Sequence, residues 1–399
     1  MMKYALGLLI IVVLTAGCAD IPCHPGPPYN HEIAMSLTEM AGGEIVFAGV
    51  SIHKGTLMRG NPLDCSPIPP HPELFYSEVN AEGEWVWEQF VKVNVGSEGY
   101  DPYRAVGIKA DDGGGITIAG VRYATDSGEV NHLLYRLNTD ANGEVVSHLD
   151  SVADFAHIDV IDQVIARAGG GFAFVVNAYD TVWTQARALI VTDENLMVEF
   201  SVFPGIDVSA SDLIELNDGG FALIWNNPYR SGNSGLIVFA DDGTSVVSLS
   251  WNPSDFTAKA VVETEDGLAV AGQNGSSISV RHYASDGGFI REDRLVMDGL
   301  QYPSRMVSAA NGDLVIVGVD MGYSRNQADT IFLRTSSSGE LIWSVTNHYQ
   351  HDEEMRDLIA TSDGGFVAGG TINFNIGGDA YLLKVSGDGV ILWDRVIGI

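Results

Sequence analysis

SDGGFVAGG, residues 362–370, is the stretch that decides the fold. An Asp-Gly turn opens into a short run of small apolar residues that ends on glycine, the pattern of a tight hairpin feeding a strand. It recurs upstream as MAGGEIVFAG (40–49), ADDGGGITIAG (110–120), AGGGFAFVV (168–176), NDGGFALIW (217–225), EDGLAVAG (265–272) and NGDLVIVG (311–318). The first apolar residue after each turn serves as a marker: Ile45, Ile116, Phe172, Phe221, Leu268, Leu314 and Phe366. Successive markers lie 71, 56, 49, 47, 46 and 52 residues apart, a period suited to a four-stranded blade.

The last copy supplies the rest of its blade. LIATS (358–362), FVAGGT (366–371), AYLLKVS (380–386) and VILWDRV (390–396) read as four strands, and the sixth copy follows the same order. Outside the N-terminus no window has sustained helical periodicity. The sequence therefore predicts an all-β chain, a seven-bladed β-propeller of four-stranded antiparallel blades. The blades fall near 31–95, 103–152, 162–203, 211–251, 258–297, 304–347 and 356–399. The first copy begins on its innermost strand and the last ends on its outermost, so the ring is expected to close without exchanging a strand. An aromatic four residues after the third-to-fourth turn glycine (Gly83 and Trp87, Gly339 and Trp343, Gly389 and Trp393) reads as inter-blade packing. Ser147 and Glu292 stand there in other copies.

The N-terminus reads as an address rather than part of the fold. Lys3 precedes LGLLIIVVL (6–14), which is too short for a permanent span, and Thr15-Ala16-Gly17 leads to Cys18. These residues resemble the lipobox of bacterial lipoproteins. The resemblance implies a signal peptide over 1–17, a lipidated Cys18, and a Pro-rich tether over 18–30. Asp20 is not directly after Cys18, which favours the outer membrane of a two-membrane envelope. With Cys18 lipidated, Cys23 and Cys65 remain as a candidate disulfide in an oxidising compartment, the alternative being two free thiols.

A net charge of −31 argues against nucleic acid or anionic lipid as partner and is compatible with cations, basic proteins or plain solubility. With 46% hydrophobic and 18% charged residues, the chain has the composition of a packed globular protein. Asp363-Gly-Gly-Phe366, Ala368-Gly-Gly-Thr371, Tyr381-Leu-Leu-Lys384 and Gly389-Val-Ile-Leu-Trp393 resemble the DGG(F/Y) repeats of bacterial secreted and lipoprotein propellers, with a strand order similar to kelch repeats. The resemblance runs over residues 31–399, most strongly in the last two copies, and implies fold and secretion rather than a ligand.

Two sets of residues are candidate sites. Tyr100, Tyr103, His157, Tyr179, Trp183, Tyr229, Arg230, Tyr323, Arg325 and His351 belong to loops that propeller topology would gather on one face, where aromatics and arginines suit protein or glycan contacts. Nine residues before each marker stand Ser36, Gly107, Gln163, Asp212, Lys259, Arg305 and Asp357. Gln163 and the four charged residues after it would form a polar ring at the channel mouth, with Asp212 pairing Lys259 and Arg305 pairing Asp357. That ring reads either as structural ion pairs or as a small polar ligand site.

No catalytic constellation is present: the chain lacks GxSxG, HExxH, GxxxxGK and GxGxxG in the required settings. SGDGVILW (386–393) misses the sialidase Asp box by one position. Residues 138–144 open like a calcium loop but lack the later bidentate Glu, and read first as a hairpin turn. No cofactor or metal is expected. The sequence thus points to a non-catalytic envelope lipoprotein, monomeric, a binding or scaffold module that displays its loop face to a protein or glycan partner. A glycan-directed hydrolase or lyase and an envelope-assembly factor are the alternatives.

Overall fold

The computed structural model describes residues 29–54, 71–91, 103–126, 129–152, 157–179, 185–202, 209–227, 232–295, 301–321, 328–348, 352–372 and 378–397. Blade one comprises β1 (Tyr29–Glu39), β2 (Ile45–Lys54), β3 (His71–Val79) and β4 (Trp85–Val91). Blade two comprises β5 (Tyr103–Ala110), β6 (Ile116–Asp126), β7 (Glu129–Thr139) and β8 (Val145–Val152). Blade three has β9 (His157–Ala166), β10 (Phe172–Tyr179), β11 (Gln185–Thr192) and β12 (Val198–Val202). In blade four these are β13 (Ser209–Glu215), β14 (Phe221–Asn226), β15 (Ser234–Phe239) and β16 (Ser245–Trp251). Blade five holds β17 (Thr257–Thr264), β18 (Gly267–Asn274), β19 (Ser277–Tyr283) and β20 (Phe289–Leu295). Blade six holds β21 (Gln301–Ser308), β22 (Leu314–Asp320), β23 (Asp329–Thr335) and β24 (Leu341–Asn347), and blade seven β25 (Glu353–Ala360), β26 (Phe366–Ile372), β27 (Asp379–Val385) and β28 (Ile391–Ile397).

Each blade is an antiparallel sheet of four consecutive strands, and among the described residues no strand is shared between blades. The molecule is a seven-bladed β-propeller, as the repeat predicts.

The core lies between the blades. Seven buried clusters exist among the described residues, and each joins two neighbours, including one that joins blade seven to blade one through Leu37, Phe47, Phe75, Leu382 and Trp393. On β22, Leu314 and Ile316 face blade five while Val315 and Val317 face blade seven. A strand buried on both faces needs apolar side chains at every position, so the second strands read as unbroken apolar runs rather than alternating ones. Each fully buried side chain of this kind contributes roughly 1.5–3 kcal/mol.

The turns explain the glycines. At the β1–β2 corner Gly43 donates to the Met40 carbonyl at 2.9 Å with φ of 90°, a left-handed position that glycine takes without strain. Residues 138–144 form the β7–β8 turn, where Asp140 Oδ1 accepts the N–H groups of Asn142 and Glu144 at 2.9 and 3.0 Å.

The recurrent tryptophan lies on the neighbouring blade. A Cβ on Gly143 would come within 2.8 Å of the Trp87 ring, one on Gly389 within 2.8 Å of Trp343, and one on Gly83 within 2.6 Å of Trp393. Trp343 and Trp393 also donate their indole N–H to the turn carbonyls of Gly387 and Ala81, each at 2.9 Å. In blade five the pairing register puts Arg291, not Glu292, in the tryptophan's place. Arg291 donates to the Ser337 carbonyl at 2.6 Å, the same position in the next turn. The left-handed turn residue here is Gly287 rather than Gly288, so the fourth residue after it is Arg291.

Candidate ligand site at the channel mouth

Every innermost strand carries a bulge, where one residue has no partner on the second strand. Bulges re-aim side chains, and these lie where the strands line the channel. Ser36, Gly107, Gln163, Asp212, Arg305 and Asp357 all pair three residues beyond their markers. Lys259 does not. The β17–β18 turn is one residue shorter, so Ala260 occupies that register and Lys259 is the bulged residue itself.

The carboxylates of the ring serve as clasps. Asp212 is buried, and its Oδ1 accepts from Leu213 N at 3.1 Å and Gln163 Nε2 at 3.3 Å. Its Oδ2 accepts from Val261 N of the next blade at 2.9 Å. Asp357 repeats the arrangement at the joint that closes the ring, taking Leu358 N at 2.8 Å and Leu37 N of blade one at 2.7 Å. Burial pushes both carboxyls up against the pull of Arg305, Asp357 to about 6.

Neither expected ion pair, Asp212 with Lys259 or Arg305 with Asp357, is the one that forms. Arg305 reaches Asp212 at 3.8 Å and the Ser211 carbonyl at 2.9 Å, crossing from blade six to blade four. Lys259 makes no hydrogen bond or ion pair among the described residues; burial and Arg305 lower its pKa while Glu354 raises it.

Two cavities meet at Asp162, Arg305 and Arg356. The inner one, about 250 Å³, is lined by Ser36, Gln163 and Asp357 with Ile108 and Ile359 deeper in. The outer one, about 460 Å³, lies on the loop face between blades four and seven, against Lys259, Tyr302, Glu353 and Glu354. Glu353 has its Oε2 on Thr330 N at 2.8 Å, no partner for Oε1, and a pKa pushed up to about 7 by burial. Glu354 lies 3.3 Å from Arg356. Tyr302, Glu353, Glu354 and Arg356 escaped the sequence reading because they lie one to four residues from the positions that the repeat marks.

Of the predicted loop-face residues, Tyr103 pairs with Arg122 and His157 with Tyr179 at the loop ends of their strands. Tyr100, Trp183, Tyr229, Arg230, Tyr323, Arg325 and His351 lie outside the described residues, as do Cys18, Cys23 and Cys65.

No protein-family model matches the chain, and no curated protein matches it in sequence. Its fold has many likenesses among solved structures. A protein of unknown function from Dyadobacter fermentans is 11% identical, with 89% of this chain and 94% of the other covered at a TM-score of 0.50. A protein of unknown function from Bacteroides caccae is 14% identical over 69% of this chain and 92% of its own, at 0.45. An ulvan lyase of a new polysaccharide lyase family, bound to -[GlcA(1-4)Rha3S]-, is 10% identical over 93% of this chain and 97% of its own, at 0.52. At these identities the likeness is one of fold.

Proposed function

We propose that this protein is a non-catalytic cell-envelope lipoprotein, held by lipid on Cys18, whose propeller binds a protein or glycan partner on its loop face. The observation that carries the reading is the division of labour in the channel. The ring carboxylates Asp212 and Asp357 spend both oxygens on backbone N–H groups, while the cavity above them stays open to the loop face. A glycosidase needs two carboxyls free to exchange protons with a substrate, and the two ring carboxyls, committed to joining blades, are not such a pair. Apolar residues 6–14, Cys18 and the tether support the envelope address, and a Cys23–Cys65 bridge would fasten that tether to blade one.

The likeness to a polysaccharide lyase keeps a glycan lyase as the second reading. The full chain, incubated with immobilised envelope glycans and with envelope proteins, should retain one of them and return it chemically intact. A chain that retains nothing overturns the binding role, and an unsaturated uronate in the products would establish the lyase instead. Palmitate labelling should be lost in Cys18→Ala; persistent labelling refutes the anchor.

A further inference from the structure

We propose that the outer cavity takes a small sugar acid, a uronate-sized ligand whose single carboxylate rests on Lys259. This deepens the binding role proposed above by naming the class of ligand.

The argument is an account of charges. The chain has 21 Lys and Arg against 52 Asp and Glu, yet Lys259, Arg305 and Arg356 all converge on this cavity. Arg305 is engaged by Asp212 and by the carbonyls of Ser211 and Ser304. Arg356 is matched by Glu354 at 3.3 Å. Asp162 accepts the Ala210 N–H at 2.8 Å, and Glu353 accepts that of Thr330. Lys259 alone makes no direct hydrogen bond or ion pair among the described residues; Glu354, already held by Arg356, acts on it only at longer range. A half-buried ammonium without a partner is costly, and in a well-adapted fold it signals an anion that arrives from outside.

One unmatched charge suits one carboxylate better than a dianion. Arg356 offers a second donor, since its Nε is buried and has no hydrogen-bond partner, and a planar guanidinium suits a planar carboxylate. The remaining walls are mixed. Tyr302 and Ser304 present hydroxyls, whereas Val319, Met321 and Met355 are apolar. A sugar ring, polar at its edge and apolar on its face, matches both. At about 460 Å³ the cavity lies within the range of small-ligand sites.

The test is calorimetric titration of the full chain with D-glucuronate, D-glucose and glucose 6-phosphate. Glucuronate should bind at least tenfold more tightly than glucose. Lys259→Met should lower that affinity at least tenfold while circular dichroism and melting temperature hold or improve, and Lys259→Arg should retain binding. Equal affinity for glucose and glucuronate, or unchanged glucuronate binding by Lys259→Met, overturns the assignment. A preference for glucose 6-phosphate overturns the carboxylate in favour of a phosphoryl group. Failure of all three ligands, with an envelope partner still retained, overturns this inference and leaves the broader binding role standing.

Discussion

Single residues in this propeller are governed by what burial does to a carboxyl. Glu353 and Asp357 have pKa values raised by burial, to about 7 and about 6. A group that holds its proton more tightly when folded stabilises the fold below its unfolded pKa, and that contribution is lost as the pH rises through its folded value. Asp363 runs the other way. Burial would raise it, but Lys384 at 2.7 Å and Thr361 outweigh burial and hold it near about 2. Its contribution is therefore lost as the pH falls through that region. The melting temperature should rise as the pH is lowered from 8 to 5 and fall again in stronger acid. Glu353→Gln keeps an oxygen for the Thr330 N–H and removes the buried charge, so it should raise the melting temperature at pH 8 and leave it nearly unchanged at pH 4, below the carboxyl's ordinary value of 4.5. A variant that melts like the parent at both values would refute this role for Glu353. The importance of Asp212, Arg305 and Asp357 was legible from their place in the repeat. That of Glu353 was not, because nothing in its local sequence distinguishes a buried glutamate from an exposed one.

Strands and turns show how a repeat can drift without loosening. Trp87, Trp343 and Trp393 each cover a turn glycine of the next blade. Blade two has Ser147 in that place, and the facing turn of blade three has Leu196 where glycine would be. Leu196 has φ of 59°, the one non-glycine residue with positive φ among the described residues. It is fully buried in the cluster that joins blades two and three, with Leu149 packed beside it. The bulk has moved from one side of the joint to the other, at a backbone cost of roughly 1–2 kcal/mol. Leu196→Gly should therefore destabilise despite relieving that strain, by about 1–3 kcal/mol from the lost burial. Ser147→Trp alone should clash, and the double variant should recover stability beyond the sum of the two changes in a denaturation cycle. Additive effects would mean that the two positions are independent. The seven copies, the strand order and the packing role of the tryptophans were all readable, because each rests on a local pattern. The compensation was not, because Ser147 and Leu196 are 49 residues apart and neither looks unusual alone. Lys259 was placed one residue out of register for a related reason: a turn shortened by one residue shifts everything counted across it.

At the scale of the whole molecule the ring is closed by clasps rather than by a shared strand. Blade seven takes Leu37 N on Asp357, and blade one returns the bond by taking Ser362 N and Oγ on Glu39 at 2.7 and 2.8 Å. Glu215 and Glu263 repeat the Glu39 clasp at two other joints. Asp357→Ala would orphan two backbone donors, and should cost roughly 2–4 kcal/mol. The Asp212→Ala variant should cost a similar amount. The two should differ in hydrogen exchange: amides of β1 should exchange faster in Asp357→Ala alone, because only that joint lacks a covalent connection. Equal protection of β1 in both variants would show that the clasp does not hold the ring shut.

The first strand also sets a direction. β1 enters at Tyr29 on the loop face, pairs with Lys54 there, and runs down the hub to Glu39 at the opposite face. Tyr29 is thus at the same end of the channel as Lys259 and the outer cavity. Ten residues lie between it and Cys18, a reach of at most roughly 40 Å. With Cys18 held in a bilayer, as proposed, the propeller would hang mouth-first, its cavity turned toward the lipid surface and its acidic turns away from it. Such a posture favours ligands that are themselves fixed in that membrane or pass along it over those that diffuse freely beyond it.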